Sequence, residues 1–125
     1  VFDDMSEMQL KQVELCAILT NLLDNAIEAN LKVSNIYDRW MKICCIRKHQ
    51  MMVLTISNPI GKGGVNQSDG EFLTTKENEK IHGFGMRSIK RVVDKYEGHM
   101  RVDTEGGIFI VTIYLHAFAP FEAYN

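Results

Sequence analysis

The 125-residue sequence lacks the features that would place it in several large classes of protein. Its three cysteines, Cys16, Cys44 and Cys45, are an odd number without metal-ligand spacing, which suits reduced thiols better than a disulfide framework or a zinc site. Lysine plus arginine (14) nearly balance aspartate plus glutamate (16), so no charge excess points to nucleic acid or an anionic membrane. No apolar run approaches bilayer length, and the start does not resemble a signal peptide. One globular domain, residues 1–125, is predicted.

The first predicted element is a long helix from about Met8 to Leu31. Leucine, isoleucine and alanine recur there at helical spacing, after a capping-box pattern formed by Ser6 and Gln9. The following stretch, residues 32–40, has weak periodicity and several turn residues. We therefore expect a loop with at most one short turn.

Two hairpins are predicted on either side of a second helix. The segments "WMKICCIRK" and "MMVLTISN" surround "HQ", and Pro59 should end the second strand. Trp40 and its neighbouring methionines are expected to fill the core or the sheet. "HMRVDT" and "IFIVTIYL" flank "EGG", whose glycines suit a turn with positive φ. The second helix has an apolar stripe and should end with Gly98 after its C-cap; the stripe comprises Met86, Ile89, Val92, Val93 and Tyr96.

A polar stripe follows one face of the first predicted helix. Asn21, Asn25 and Glu28 fall at positions i, i+4 and i+7, with Asp24 alongside. For an amphipathic helix, a solvated face is the ordinary interpretation of such a stripe. Asparagine, however, is a poor helix former, so two of them four residues apart indicate a ligand as the competing interpretation.

A long polar loop and a pair of glycines precede the second helix. Residues 61–82 are rich in glycine and without a clear period, which is typical of a lid or binding segment or else of a disordered one. Their position before the glycine pair favours a lid. At the helix start, the backbone N–H groups of Gly83, Phe84, Gly85 and Met86 would lack intrahelical acceptors and favour an anion such as phosphate. The motif "GFG" is weak evidence by itself, because a flexible entry to a helix is more common than a phosphate site.

Four segments, taken in order, resemble the motifs of one ATP-binding family. "NLLDNAIEAN" (Asn21 to Asn30) is similar to its N box, "FLTTK" (Phe72 to Lys76) to the phenylalanine box of its lid, "HGFGMRSI" (His82 to Ile89) to its later glycine box, and "TEGGIFIVTI" (Thr104 to Ile113) to its last glycine motif. This family joins DNA gyrase B subunits, heat-shock chaperones, mismatch-repair ATPases and sensor histidine kinases. The resemblance implies an α+β fold, a two-layer α/β sandwich (Bergerat fold) with helices on one face of a mixed sheet and an ATP lid.

The resemblance also implies ATP and Mg²⁺ as ligands of the domain. Asn25 would ligate Mg²⁺ through its amide oxygen, and Asn21 would support the phosphates or the metal from the preceding turn. In the hydrolases of the family, the position of Asn21 carries a glutamate that activates water. Asparagine cannot act as a general base, so no catalytic residue is assigned and a phosphotransferase is favoured over a hydrolase.

The implied nucleotide site combines the N box, a strand end, the lid and the glycine box. Its members are Asn21, Asn25, Glu28, Asn58, Thr75, Lys76, His82, Gly83, Phe84, Gly85 and Met86. Two of them depart from the family pattern. Asn58 replaces an aspartate that accepts a hydrogen bond from adenine, and Glu28 replaces a cation found in many of the kinases. The phosphate charge would then be met by Lys76, His82, Arg87 or Lys90.

Among the members of this family, the chain looks most like the histidine kinases of Gram-positive peptide-pheromone quorum sensing. The implied activity is transfer of the γ-phosphoryl group to a histidine of a separate dimerisation domain, with a response regulator downstream. None of the four histidines of the chain falls mid-helix beside an acid, so the acceptor is expected elsewhere. The resemblance implies a cytoplasmic fragment of a homodimeric, membrane-anchored kinase without nucleic acid partners.

Two other functions stay open from the sequence. The missing adenine aspartate and the acidic Glu28 also suit a degenerate module that binds nucleotide weakly or not at all and serves as an interaction platform. A serine kinase of the anti-sigma type would share the fold. A measurement of nucleotide affinity distinguishes the degenerate module from a kinase. The identity of the phosphorylated residue distinguishes a serine kinase from a histidine kinase.

Overall fold

The computed structural model describes residues 2–61 and 83–119, with the side chains of residues 83–85 excepted. Its elements are helix α1 (Gln12–Leu31), a 3₁₀ turn (Ile36–Asp38), strands β1 (Lys42–Lys48) and β2 (Met51–Pro59), helix α2 (Gly83–Lys95), and strands β3 (His99–Glu105) and β4 (Ile108–Leu115). The predicted order of helix, hairpin, helix and hairpin is confirmed. The predicted lid lies outside the described residues from position 62 onward.

The four strands form one sheet in the order β1-β2-β4-β3, and every neighbouring pair is antiparallel. Among the described residues, the parallel pairing is a single bridge between Phe2 and Cys45, supported by a 2.9 Å hydrogen bond from Asp3 N to Cys45 O. Both helices pack against the sheet, which confirms the predicted α+β sandwich. Of the mixed sheet that was predicted, the described residues show parallel pairing only at that bridge.

The core lies between the helices and one face of the sheet. Ile18, Leu22 and Ala26 are spaced by four residues on α1, so they form one stripe, and all three are buried. The facing residues of the sheet alternate along β2 and β4, as a half-buried sheet requires; they are Met52, Leu54, Ile56, Phe109, Val111, Ile113 and Leu115. Each such aliphatic side chain contributes about 1.5–3 kcal/mol by leaving water. None of the described helices combines the length and apolarity that spanning a bilayer requires.

Helix α1 begins four residues later than predicted, and the predicted capping box at Ser6 and Gln9 is wrong. The backbone N–H of Gln9 instead donates to Ala117 O at 2.6 Å, which ties this segment to the chain after β4. The N-cap is Lys11, whose backbone N–H donates to the Glu14 carboxylate at 3.0 Å. Tertiary contact, rather than the local pattern, therefore decides where α1 starts.

Gly98 is required at the end of α2 for a different reason from the one predicted. The positive φ of 50° belongs to Glu97, and Gly98 N donates to Val93 O at 2.7 Å, the bond that closes a Schellman motif. A Cβ at Gly98 would collide with the carbonyl oxygen of Tyr114 in β4. The glycine thus permits close approach of the helix end to the sheet.

The predicted stripe on α2 is confirmed: Ile89, Val92 and Val93 are buried, and Met86 and Tyr96 pack against the core.

The loop after α1 matches its prediction of one short turn but not the predicted burial of Trp40. Asn35 accepts a hydrogen bond from Tyr37 N at 2.9 Å and starts the 3₁₀ turn. Trp40 is 39% exposed, and its two hydrogen bonds to Asn30 of α1 are made by its backbone. The second hairpin turn carries positive φ at Gly106 and Gly107, as predicted.

The end of α2 generates a paired stability prediction. Gly98→Ala should lower the free energy of unfolding by about 2–3 kcal/mol, because the methyl group would force α2 away from β4. Glu97→Gly should raise it by about 0.5–1 kcal/mol, since glycine adopts positive φ without steric cost. Urea denaturation of both variants and the parent chain measures the two effects. Equal stability of Gly98→Ala and the parent would contradict the close approach.

Candidate functional site

The two helices run antiparallel along a seam fixed at both ends. At one end, Glu14 of α1 accepts hydrogen bonds from Lys95 Nζ at 2.6 Å and Tyr96 OH at 2.5 Å. Eleven residues further along α1, Asn25 Nδ2 contacts the Met86 sulfur at 4.0 Å, near the beginning of α2. The start of α2 is therefore placed beside the N-box residues of α1.

The carboxylate of Glu14 is the electrostatic anchor of this seam. Burial works to raise its pKa, but the hydrogen bonds from Lys95, Tyr96 and Lys11 N–H outweigh burial and hold the pKa at about 2. The ion pair with Glu14 in turn raises the pKa of Lys95. The side chain of Glu14 is only 12% exposed, whereas that of Lys95 is 48% exposed, so solvent still screens the lysine side of the ion pair.

Several elements end or begin at the same end of the molecule as the start of α2. A Cβ at Gly61, just after β2, would collide with the carbonyl oxygen of Lys32, the C-cap of α1. Ile60 N donates to Gly107 O at 2.8 Å, so the β3–β4 turn lies there too. The end of β2, the end of α1 and the start of α2 thus converge. In the sequence, the predicted lid, residues 61–82, joins the end of β2 to the start of α2, and apart from Gly61 it lies outside the described residues.

Asn21 and Asn25 lie on the flank of α1 that faces α2, and both are half-buried. Asn21 Nδ2 donates to Ala17 O at 2.7 Å within its own helix, whereas Asn25 contacts Met86 across the seam. Glu28, one turn beyond Asn25, is half-buried on the same flank and also has an interaction partner. The stripe predicted from spacing is a helix–helix flank and not a fully solvated face.

Asn58 is the most deeply buried polar residue of the described chain, with 2% of its surface exposed. It lies one residue before the end of β2, and its Nδ2 donates to Pro59 O at 2.9 Å. Within residues 2–61 and 83–119, no donor reaches its Oδ1. A buried carbonyl oxygen of this kind needs a hydrogen-bond partner, which a bound base can supply.

The start of α2 supplies the groups that an anion needs. Its first four backbone N–H groups cannot be satisfied within the helix, and its peptide dipoles favour negative charge there. Arg87 and Lys90 are exposed on the same helix. The other expected contributors lie outside the description: Thr75, Lys76 and His82 entirely, and Gly83, Phe84 and Gly85 in their side chains.

No cluster of three or more histidine, cysteine or acidic side chains suitable for a metal occurs in the part of the chain that the structure describes. Binding of a metal at this end does not require such a cluster, because few protein ligands can suffice. Mg²⁺ is commonly bound in this way, through one or two protein oxygens, substrate phosphates and water. The Asn25 amide, half-buried beside the start of α2, fits such a minimal ligand.

Two residues that hold this arrangement together were not predicted. Asn30, the last residue of the N-box match, donates to Trp40 O at 3.1 Å and accepts from Trp40 N at 3.1 Å, so it clamps the following loop. Glu14 aligns α2, but its partners Lys95 and Tyr96 lie more than 80 residues away in sequence. No local pattern could reveal that pairing.

A cavity of about 790 Å³ near the β1–β2 turn lies at the opposite end of β2 and takes no part in the site.

Comparison with known proteins identifies relatives of this architecture. The family profile described as a GHKL domain matches residues 10–116. The nucleotide-free catalytic domain of histidine kinase ThkA is similar with a TM-score of 0.62 at 19% identity, over 91% of this chain and 74% of that one. Histidine kinase AdeS of Acinetobacter baumannii gives 0.55 at 19% identity, over 82% of this chain and 45% of that one.

A third similar structure is the histidine kinase domain of a blue-light-activated kinase from Erythrobacter litoralis. Its TM-score is 0.61 at 14% identity, over 83% of this chain and 46% of that one. No curated protein sequence matches the chain. At these identities, the solved structures establish a shared fold.

The Glu14 anchor predicts how stability depends on pH. The pKa of Glu14 is lower in the folded chain than its ordinary value of 4.5, so its contribution is complete above that value and is lost as the pH falls towards about 2. Glu14→Gln should therefore be less stable than the parent at neutral pH, and the difference should shrink on acidification. Tyr96→Phe should show a smaller effect of the same sign. Thermal unfolding at several pH values measures both, and parallel curves for Glu14→Gln and the parent would contradict the anchor.

Proposed function

Because the chain belongs to the GHKL domain family, we propose that it binds Mg²⁺–ATP at the end of the molecule where α2 begins. The γ-phosphoryl group is then donated to a histidine on a separate dimerisation domain. The observation that carries the proposal is the convergence of Asn25, buried Asn58 and the start of α2 at one end of the sandwich.

The two ends of the nucleotide are assigned to different groups. The phosphates lie at the start of α2, close to the backbone N–H groups of Gly83, Phe84 and Gly85. Because glycine has no Cβ, no side chain at positions 83 and 85 hinders the approach of the phosphates. The base lies against the end of β2. There, Oδ1 of Asn58 accepts a hydrogen bond from the amino group of adenine.

The orientation of the Asn58 amide gives the site a preference among bases. Its Nδ2 is already committed to Pro59 O, so the oxygen is the group left for a ligand. Adenine presents an amino donor at the matching position, whereas guanine presents a carbonyl oxygen that cannot donate. We therefore assign ATP rather than GTP as the nucleotide.

Asn25 is proposed to hold Mg²⁺, with Asn21 supporting the phosphates from the preceding turn. Bound Mg²⁺ would neutralise phosphate charge and orient the transferred group. The Asn21 amide cannot remove a proton, and its Nδ2 donates to the helix backbone. The chain is therefore a phosphotransferase that positions ATP, and it leaves nucleophile activation to the acceptor. Lys76, His82, Arg87 and Lys90 are proposed to meet the charge of the phosphates.

The biological setting follows from the same relatives by analogy. Histidine kinase catalytic domains with this fold suggest a parent kinase that is homodimeric and signals through a response regulator. The N-box, "SNPI" and glycine-box segments favour the peptide-pheromone quorum-sensing class, with a membrane-anchored parent and a cytoplasmic catalytic domain. In that setting, Glu28 and Asn58 make modest nucleotide affinity the expectation.

Nucleotide binding can be tested directly by isothermal titration. ATP should bind only weakly without Mg²⁺ and more tightly with it, and GTP should bind more weakly than ATP. Asn25→Ala should reduce affinity by about tenfold or more and remove the Mg²⁺ dependence. Asp24→Ala, on the neighbouring exposed position, should leave both unchanged. No binding of ATP at millimolar concentration would contradict the proposal and favour the degenerate interaction module.

Phosphotransfer needs its own test with the natural acceptor domain joined to the chain. The parent should incorporate acid-labile, base-stable phosphate, the signature of phosphohistidine. Gly85→Ala should abolish incorporation because a Cβ there would obstruct the phosphates. Acid-stable phosphate would instead indicate serine transfer and contradict the histidine assignment, while leaving ATP binding intact.

A further inference from the structure

The described surface carries a cluster of apolar side chains that neither the core nor the candidate site uses. Seven large apolar residues are exposed in the described part of the chain, and five of them fall between positions 27 and 40. These five define the α1-end patch: Ile27 (49% exposed), Leu31 (65%), Ile36 (61%), Tyr37 (89%) and Trp40 (39%). Scattered exposed side chains are normal, but a concentration of this kind marks an interaction surface.

Polar contacts to the backbone hold the segment that carries the patch in a fixed arrangement. Asn30 clamps Trp40 to the last turn of α1 through two hydrogen bonds of 3.1 Å. The Arg39 guanidinium donates twice to Val33 O, at 2.9 and 3.1 Å, and closes the intervening loop. The 3₁₀ turn between them is capped by Asn35. The patch is therefore preorganised, which lowers the entropic cost of binding.

Size and composition of the patch suit a protein partner. Its five side chains expose on the order of 600 Å², somewhat less than the ~800 Å² that each partner contributes to a standard interface. Tyrosine, tryptophan and large aliphatic residues are the types enriched at the centre of such interfaces.

Charges beside the patch identify the kind of partner. Lys32 and Asp38 are both exposed next to it, with opposite signs, and neither forms an ion pair or side-chain hydrogen bond within the described residues. A partner with charge of one sign would satisfy one of them and oppose the other. A second copy of the same surface, rotated by a two-fold axis, presents an acid to the lysine and a lysine to the acid.

We propose that the α1-end patch is the interface of a symmetric dimer of this chain. Leu31 and Trp40 lie near the two-fold axis, and Lys32 of each copy faces Asp38 of the other. The buried area places this dimer at the weak end of specific interfaces, so association is expected in the micromolar range. The proposal does not depend on nucleotide binding.

Sedimentation equilibrium of the chain over a concentration series, without nucleotide, tests the proposal. The parent should show a monomer–dimer equilibrium. Leu31→Glu should weaken dimerisation by about a hundredfold or more, because it places two like charges in the apolar centre. Val13→Glu is the matched control: Val13 is 72% exposed on the same face of α1, roughly 27 Å away, and should leave the equilibrium unchanged.

Charge reversal distinguishes pairing from a general loss of apolar surface. Lys32→Glu and Asp38→Lys should each weaken the dimer by about tenfold, since each creates two like-charge contacts across the axis. The double variant restores opposite charges and should recover affinity to within about threefold of the parent. Circular dichroism confirms that all variants fold, as expected for exposed positions.

Three results would overturn the proposal. The first is a parent chain that stays monomeric at all concentrations up to about 0.5 mM, where a micromolar dimer would be saturated. The second is a dimer that Leu31→Glu leaves intact, which would place the interface elsewhere. The third is a double charge variant no tighter than the two single variants, which would exclude the proposed contact between Lys32 and Asp38.

Discussion

The antiparallel seam between α1 and α2 is the interaction on which the rest of the arrangement depends. Burial of Ile18, Leu22 and Ala26 against the sheet fixes the rotation of α1 and turns its polar flank towards α2. Glu14 lies on that same flank, two turns before Asn21, and its bonds to Lys95 and Tyr96 set how far α2 slides along the seam. The start of α2 then falls beside Asn25, so a contact at one end of the helix pair determines the geometry at the other.

Most of the fold could be predicted from periodicity, because apolar spacing on helices and strands directly reflects burial. The errors have a common cause in contacts between distant segments. Gln9 fits a capping-box pattern, but its backbone N–H donates to Ala117 O instead. Gly98 fits the pattern of a helix C-cap, but glycine is required there because the carbonyl oxygen of Tyr114 leaves no room for a Cβ. For the site, family order indicated the residues, whereas their alignment depends on Glu14, which no local pattern marks. The roles of Thr75 and its neighbours in the lid remain predictions.

The asparagines of the chain show how one residue type serves two purposes. Asn21 and Asn30 donate to the carbonyl four residues earlier, which satisfies the amide within its own helix. Asn25 makes no such bond among the described residues and instead contacts Met86 across the seam. The cost of placing asparagine in a helix is therefore offset locally at two positions. At Asn25 the side-chain amide is instead left for a partner outside the helix, which is the arrangement expected of a ligand-binding residue.

The family resemblance implies an aspartate at the position of Asn58, and the replacement would change the energetics of the proposed nucleotide site in two opposing directions. A neutral amide oxygen forms a weaker hydrogen bond to adenine than a carboxylate does. At 2% exposure, however, a carboxylate in the ligand-free chain would carry a large desolvation cost, and it would also face the carbonyl oxygen of Pro59, to which Asn58 donates. The amide removes both costs and, through that bond, keeps its oxygen directed at a ligand. If Asn58 binds the base as proposed, the site would exchange some affinity for a more stable empty state and would still require an amino donor on the base.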